Sequence, residues 1–218
     1  MACSRWRLVR WVVVLLLVYW ILVPKAYYGA RAYGRVVDAT TKQPIAGAAV
    51  ALVWGNAGMD QILHAASTHT DASGHYELAA WGPKRFWTNK PTLQRPDVWV
   101  FKPGYIARDL QKPDQWDWVN VRESFWNGRD IELTPGTDAA DYARMINHVA
   151  SGIFSNLVGT GCDWLLIPEL VDVICAETDR LVSEGLLKGP EDTRASWYDS
   201  SGCPQPDPAN RQPERRSR

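Results

Sequence analysis

Residues 34–54 read GRVVDATTKQPIAGAAVALVW, and their periodicity decides the fold class. Gly34-Arg35-Val36-Val37-Asp38 is a short strand, Ala39 to Pro44 is a polar connection with turn chemistry, and Ala48 to Trp54 is a second strand. In an extended chain Val50, Leu52 and Trp54 fall on one face. Working towards the C-terminus, Leu63 to Thr70 and His75 to Ala80 flank the turn Asp71-Ala72-Ser73-Gly74. Tyr76, Leu78 and Ala80 point one way there, and His75, Glu77 and Ala79 the other. Val98 to Lys102, Tyr105 to Leu110 and Arg129 to Thr134 complete seven short segments separated by turn signals. That count and alternation predict an antiparallel sandwich.

Towards the N-terminus the pattern changes. Trp11 to Val23 is wholly apolar or aromatic, with Arg5, Arg7 and Arg10 before it and Pro24 and Lys25 after it. Trp6 to Val23 is near the shortest length that crosses a bilayer if the arginines snorkel to its surface. Small residues at cleavage positions are not cleanly offered by the stretch that follows, so an uncleaved signal anchor is expected, with secretion after cleavage as the alternative. Trp6, Trp11, Tyr19, Trp20, Tyr27 and Tyr28 fit interfacial anchoring. The expected location is a bacterial-type inner membrane, spanned once, with the bulk of the chain exported to the periplasm.

Beyond the sandwich, Tyr142, Met145, Ile146, Val149, Ile153, Phe154 and Leu157 recur at helical spacing. Thr137 or Asp138 is the expected N-cap and Gly159 the stop. A second helix runs from Pro168 to near Gly185 with Val171, Ile174, Cys175, Thr178, Leu181 and Val182 on one stripe. Joined through Gly159-Thr160-Gly161, the two form a helical hairpin expected to pack on the sandwich. The proline-rich stretch from Gly189 reads as a disordered tail. The domain reading is therefore 1–33 anchor and linker, 34–135 sandwich, 136–188 helical hairpin and 189–218 tail.

Four ordered blocks carry a family likeness: Gly34 with Val36, Pro44 to Val50, Thr70 to Tyr76, and Lys102 to Tyr105. Together they resemble the carboxypeptidase regulatory-like domain, whose pattern is a G-x-V strand, P-I-x-G-A-x-V, T-D-x-x-G-x-Y and K-x-G-Y. The resemblance implies a mainly β fold, a seven-stranded antiparallel transthyretin/Ig-like sandwich, here with appended α structure and an N-terminal membrane helix. It carries no function, because such modules accompany many different activities.

The 218 residues contain 24 Lys+Arg against 24 Asp+Glu, so no basic surplus exists to neutralise a phosphate backbone and nucleic-acid binding is not expected. No phosphate-binding glycine loop, nucleophile elbow or zinc-peptidase motif occurs, and neither an enzyme nor a cofactor is expected. His64, His69 and His75 cluster in sequence, but strand parity separates the first two, so no metal site is read from them. Four cysteines are present. In an oxidising compartment Cys162–Cys175 is the first expected disulfide, with Cys162–Cys203 and Cys175–Cys203 as alternatives.

Two stretches exceed hairpin length, Gly82 to Pro96 and Gln111 to Gly128, and both mix aromatic with polar residues. The chain holds 12 tryptophans, and several lie in these stretches. Candidate binding residues are Trp116, Asp117, Trp118, Asn120, Arg122 and Trp126, because indole faces stack on sugars while the polar groups satisfy hydroxyls. Core packing of the same tryptophans is the competing explanation. The expected function is that of a non-enzymatic, membrane-tethered envelope module. It docks onto another envelope protein through its sandwich loops and hairpin, or alternatively binds an envelope glycan through the Trp-rich loop.

Overall fold

The computed structural model describes residues 10–15, 25–55, 62–86, 96–106, 108–110, 122–158 and 162–187. Among them a helical stretch at 10–15 is followed by nine strands: β1 Lys25–Gly29, β2 Ala32–Asp38, β3 Ala49–Gly55, β4 Ile62–His69, β5 His75–Leu78, β6 Trp81–Phe86, β7 Asp97–Phe101, β8 Arg108–Leu110 and β9 Asp130–Leu133. Two α-helices follow, α1 Ala139–Val158 and α2 Pro168–Ser183, with a 3-10 turn at Asp163–Leu166 between them.

Strands β4-β3-β7-β8 form one sheet, β5-β2-β9 a second, and β1 pairs with β6 in a separate ribbon. The first two sheets face each other, and the alternation read from the sequence supplies the filling. Val50, Leu52, Trp54, Val98 and Val100 meet Val36, Tyr76, Leu78, Ile131 and Leu133 in one buried cluster. The opposite face of β3 carries Ala49, Ala51 and Val53, small side chains that let helices approach closely. Against them lie Ile146, Ala150, Ile167, Leu170, Val171, Ile174 and Leu181, a second buried cluster. The architecture is thus three layers: three-stranded sheet, four-stranded sheet, helical hairpin. β3 is buried over its whole length because it is covered on both sides. Full burial of a side chain such as Leu170 or Ile174 contributes about 1.5–3 kcal/mol.

The helix ends follow local chemistry. Asp138 Oδ1 accepts the Asp141 amide at 2.8 Å, which makes Asp138 the N-cap of α1. Pro168 opens α2, where its missing N–H costs nothing. Gly185, at φ 72°, turns the chain away from α2 and donates its amide to the Val182 carbonyl.

All seven expected segments contain strands, but the count and the pairing differ from expectation. β1 lies in what reads as a linker, and β6 occupies the start of the long Gly82–Pro96 stretch. Their pairing, Lys25 with Phe86 through Gly29 with Trp81, adds a ribbon outside the sandwich. The sandwich is also not wholly antiparallel. β9 runs parallel to β2, pairing Arg35 with Asp130 and Asp38 with Leu133. The physical reason is that the chain reaches β9 by a long crossing after β8 and enters the sheet in the direction of β2, not through a hairpin. The segment beginning at Tyr105 narrows to β8, with Tyr105 in an isolated bridge to Pro135. Of the Trp6–Val23 anchor only 10–15 is described, and no described helix is long and apolar enough to cross a membrane. Gly159 and the tail from residue 189 lie outside the described residues.

Candidate binding face

The helix layer covers the four-stranded sheet, whereas among the described residues nothing covers the outer face of β5-β2-β9. Parity decides what stands on it. Tyr33 and Arg35 of β2, His75 and Glu77 of β5, and Asp130 and Glu132 of β9 alternate with inward residues and point outwards. Register then pairs opposite charges. Arg35 grips Asp130 with Nε–Oδ1 at 3.0 Å and Nη2–Oδ2 at 2.6 Å. Arg31 meets Glu77 at 2.7 Å and Lys42 meets Glu132 at 2.6 Å. These pairs are half-exposed, so each contributes only about 0–1 kcal/mol. Their effect is to fix side-chain positions. The Arg35 guanidinium holds the Asp130 carboxyl below its ordinary range, chiefly by hydrogen bonding.

One side of this face drops into a cleft of about 580 Å³ where the edge strands β5 and β4 approach each other. Arg31, Tyr33, Arg35, His69, His75 and Arg129 are among its walls. Tyr33 keeps 46% of its surface exposed, with the Arg31 guanidinium 5.3 Å from its ring centre. Asp71 belongs to the turn at the cleft rim. Its Oδ1 accepts the Ser73 hydroxyl at 2.7 Å and the amides of Ser73 and His75, which together lower its pKa.

The segment 122–129 forms another wall and is sewn to the start of β2. Asn127 Oδ1 accepts the Tyr33 amide at 3.2 Å, Asn127 Nδ2 donates to the Arg31 carbonyl at 3.1 Å, and the Gly128 amide donates to the Tyr33 carbonyl at 2.9 Å. Gly128 adopts φ 69°, which turns the chain so that Arg129 stands over Phe125, 4.0 Å from its ring centre.

Of the residues singled out from the sequence, Trp116, Asp117, Trp118 and Asn120 lie outside the described residues. Trp126 is half-buried and packs against the core between the sheets. Arg122 stacks on Tyr28, 3.8 Å from the ring centre, and also donates to its hydroxyl. The cleft residues Arg31, Tyr33, Arg35 and Arg129 were missed, because one strand's alternating charges look like any solvated face until register joins three strands.

His69 and His75 both line the cleft, and His64 lies apart from them. His64 sits among Trp54 and Trp81, with ring centres 5.5 and 4.8 Å away, and Lys84 beside it. Burial, aided by the Lys84 charge, pushes its pKa down to about 4. Among the described residues no three His, Cys, Asp or Glu side chains are grouped to hold a metal ion. Cys175 is buried in the helix stripe and is not disulfide-bonded, so the Cys162–Cys175 disulfide expected from the sequence is not formed. The helical spacing that places Cys175 in the buried stripe makes it part of the core between helices and sheet. Cys162 is disulfide-bonded.

No family model and no curated protein matches this chain. Among solved structures it is similar to 3-chlorocatechol 1,2-dioxygenase from Rhodococcus opacus, at 14% identity and TM-score 0.34, over 52% of this chain and 62% of that one. It is similar to catechol 1,2-dioxygenase from Pseudomonas arvilla at 14% identity and TM-score 0.32, over 52% and 54%. A streptococcal ancillary pilin matches at 8% identity and TM-score 0.28, over 53% and 31%. The chain therefore spans less than two thirds of each of these neighbours, and likeness this distant says nothing of what it binds or catalyses.

Proposed function

We propose that this chain is a non-enzymatic, membrane-tethered module of the cell envelope that docks onto another envelope protein, and that its sandwich is a carboxypeptidase regulatory-like domain. The observation that carries the docking reading is the division of surfaces. Among the described residues the buried apolar side chains of both helices pack on β3 and its neighbours, while nothing covers the outer face of β5-β2-β9 beside a cleft. Docking therefore falls to this face and the adjoining loops, not to the hairpin.

Tethering is supported by the helical stretch 10–15, where Trp11 and Leu15 are 68% and 63% exposed and join neither core. Apolar side chains left exposed among the described residues fit a lipid environment. The family reading is supported by the turns its pattern needs: Gly47, Gly74 and Gly104 all adopt positive φ, at 65°, 75° and 84°.

The test places a photo-crosslinking residue at Tyr33 of the full-length chain in native membranes. A reproducible protein adduct, absent when the same residue is placed at exposed Arg144 of α1, is the expected result. No adduct from Tyr33 overturns docking through this face. A carbohydrate adduct replaces it with the glycan reading.

A further inference from the structure

We propose that the ribbon formed by β1 and β6 lies on the membrane surface and binds anionic lipid headgroups, which sets how the sandwich stands on the bilayer. The proposal rests on the tethering reading and adds a contact that a tether alone does not supply. Its first support is the distribution of charge. Residues 1–37 and 78–96 carry ten of the 24 Lys+Arg and none of the 24 Asp+Glu. The pairing of β1 with β6 brings these two acid-free stretches together, setting Lys25 opposite Phe86, Ala26 opposite Arg85 and Tyr27 opposite Lys84. Arg31 and Arg35, in the first stretch, are answered by Glu77 and Asp130. Lys84 donates to a neutral acceptor, the Leu63 carbonyl, at 3.3 Å. The 122–129 segment adds Arg122 beside the ribbon, with Glu123 next to it in the chain.

Position in the chain identifies the anion. The apolar run ends at Val23 and β1 begins at Lys25. Two residues span at most about 7 Å. With the run in a bilayer, the start of the ribbon is within one screening length of the headgroups, about 8 Å at physiological ionic strength. Cations held that close are attracted by a negatively charged lipid surface. Tyr28 of β1 is 42% exposed and has the ring and hydroxyl that suit this interface, with the Arg122 guanidinium 3.8 Å from its ring centre.

The ribbon is also fixed to the body of the molecule. Tyr27 and Trp81 enter the same buried cluster as Trp54 and Leu63, and the Ala30 amide donates to the Arg122 carbonyl at 2.9 Å. Headgroups that hold the ribbon therefore hold the sandwich, with the Trp54 end of β3 towards the bilayer. The opposite end of β3 pairs Ala49 with Phe101, and in the turn beyond Phe101 the Gly104 amide donates to Tyr142 of α1. The start of α1 is thereby carried away from the lipid.

The experiment places a photo-crosslinking residue at Tyr28 of the full-length chain, reconstituted in vesicles of phosphatidylcholine alone or of an equal mixture with phosphatidylglycerol. A lipid adduct about fivefold more abundant in the mixed vesicles is expected, with none from the same residue at Arg144 of α1. High salt, which screens the attraction and needs no substitution, should bring the mixed vesicles down to the neutral yield. Lys25→Gln combined with Arg85→Gln should do the same. Lys42→Gln, which removes a cation beyond the far end of β2, should not.

Equal yields in the two kinds of vesicle, a mixed-vesicle yield unchanged by high salt, or an equal fall in Lys42→Gln and the ribbon variant overturns the proposal. So do equal adducts from Tyr28 and Arg144. A chain that floats with the vesicles in high salt yet gives no lipid adduct from Tyr28 ends the headgroup inference and leaves the tether intact. A chain that fails to float with either kind of vesicle ends the tethering reading, and the ribbon proposal with it.

Discussion

The Tyr142 hydroxyl donates to Glu177 Oε1 at 2.8 Å while accepting the Gly104 amide at 3.0 Å, so one side chain of α1 ties α2 to the turn after β7. Glu177 is buried, and Arg180 closes its other side with contacts of 2.7 and 3.0 Å. Tyr142→Phe removes the donor and the acceptor together. The expected loss is about 1–3 kcal/mol, read as a lower urea midpoint with an unchanged slope.

The same site predicts acid sensitivity. Burial pushes the Glu177 carboxyl up, but the Arg180 and Tyr142 hydrogen bonds outweigh it and leave its pKa below the ordinary 4.5. A depressed folded-state value contributes stability above 4.5 that is lost as pH falls through the folded value. Glu177→Gln should therefore be less stable than the parent at pH 7, and the two should converge in strong acid. Urea melts at pH 7 and below pH 4 check the convergence.

His64 has the opposite charge type and the same pH direction. The unfolded chain takes up its proton near 6.5, whereas the folded chain resists until about 4. Stability is complete above 6.5 and declines as pH falls from 6.5 to 4. His64→Phe should flatten that part of the stability–pH curve, and an NMR titration of the imidazole should show a midpoint near 4.

At the ribbon, Trp81 packs so closely over Gly29 that an added Cβ would stand 2.1 Å from its indole nitrogen. Gly29→Ala should displace the indole, lower stability by about 2 kcal/mol and change the near-ultraviolet circular dichroism of the Trp54–Trp81 pair. Unaltered aromatic dichroism would contradict the packing.

Between sheet and helices, Ala51 has no exposed surface. Ala51→Leu adds methylenes where α2 crosses β3 and should cost about 1–3 kcal/mol, with faster amide exchange in α2 than in β9. Uniform exchange across the chain would count against a separate helix layer.

What was legible in the sequence is what local periodicity records. Val50, Leu52 and Trp54 showed the inner face of β3, and Ile146 and Ile174 marked helix stripes that are indeed buried. Asp138 and Pro168 marked helix starts because capping is a matter of adjacent residues. β1 and β6 were not legible: Gly82 and Pro83 argue against a strand, and the pairing depends on Trp81 finding Gly29 across the fold. The parallel partner of β2 was hidden for a similar reason, as nothing near Arg35 announces Asp130. Trp126 packs against the core between the sheets, and the cleft is assembled from single charges on β2, on β5 and beside β9 that have no shared motif.

Arg35 and Asp130 are 95 positions apart, and that separation sets an order on the making of the molecule. A chain emerging from its N-terminus has β2 long before β9, and the outer face of β3 long before α1 and α2. The first half therefore leaves the ribosome, or crosses a membrane, with two apolar surfaces that its own residues cannot yet cover. Closure waits for the last strand and the two helices, so a chain truncated before Asp130 lacks both the third strand and the lid. Its first half is expected to depend on a holding chaperone until synthesis is nearly complete.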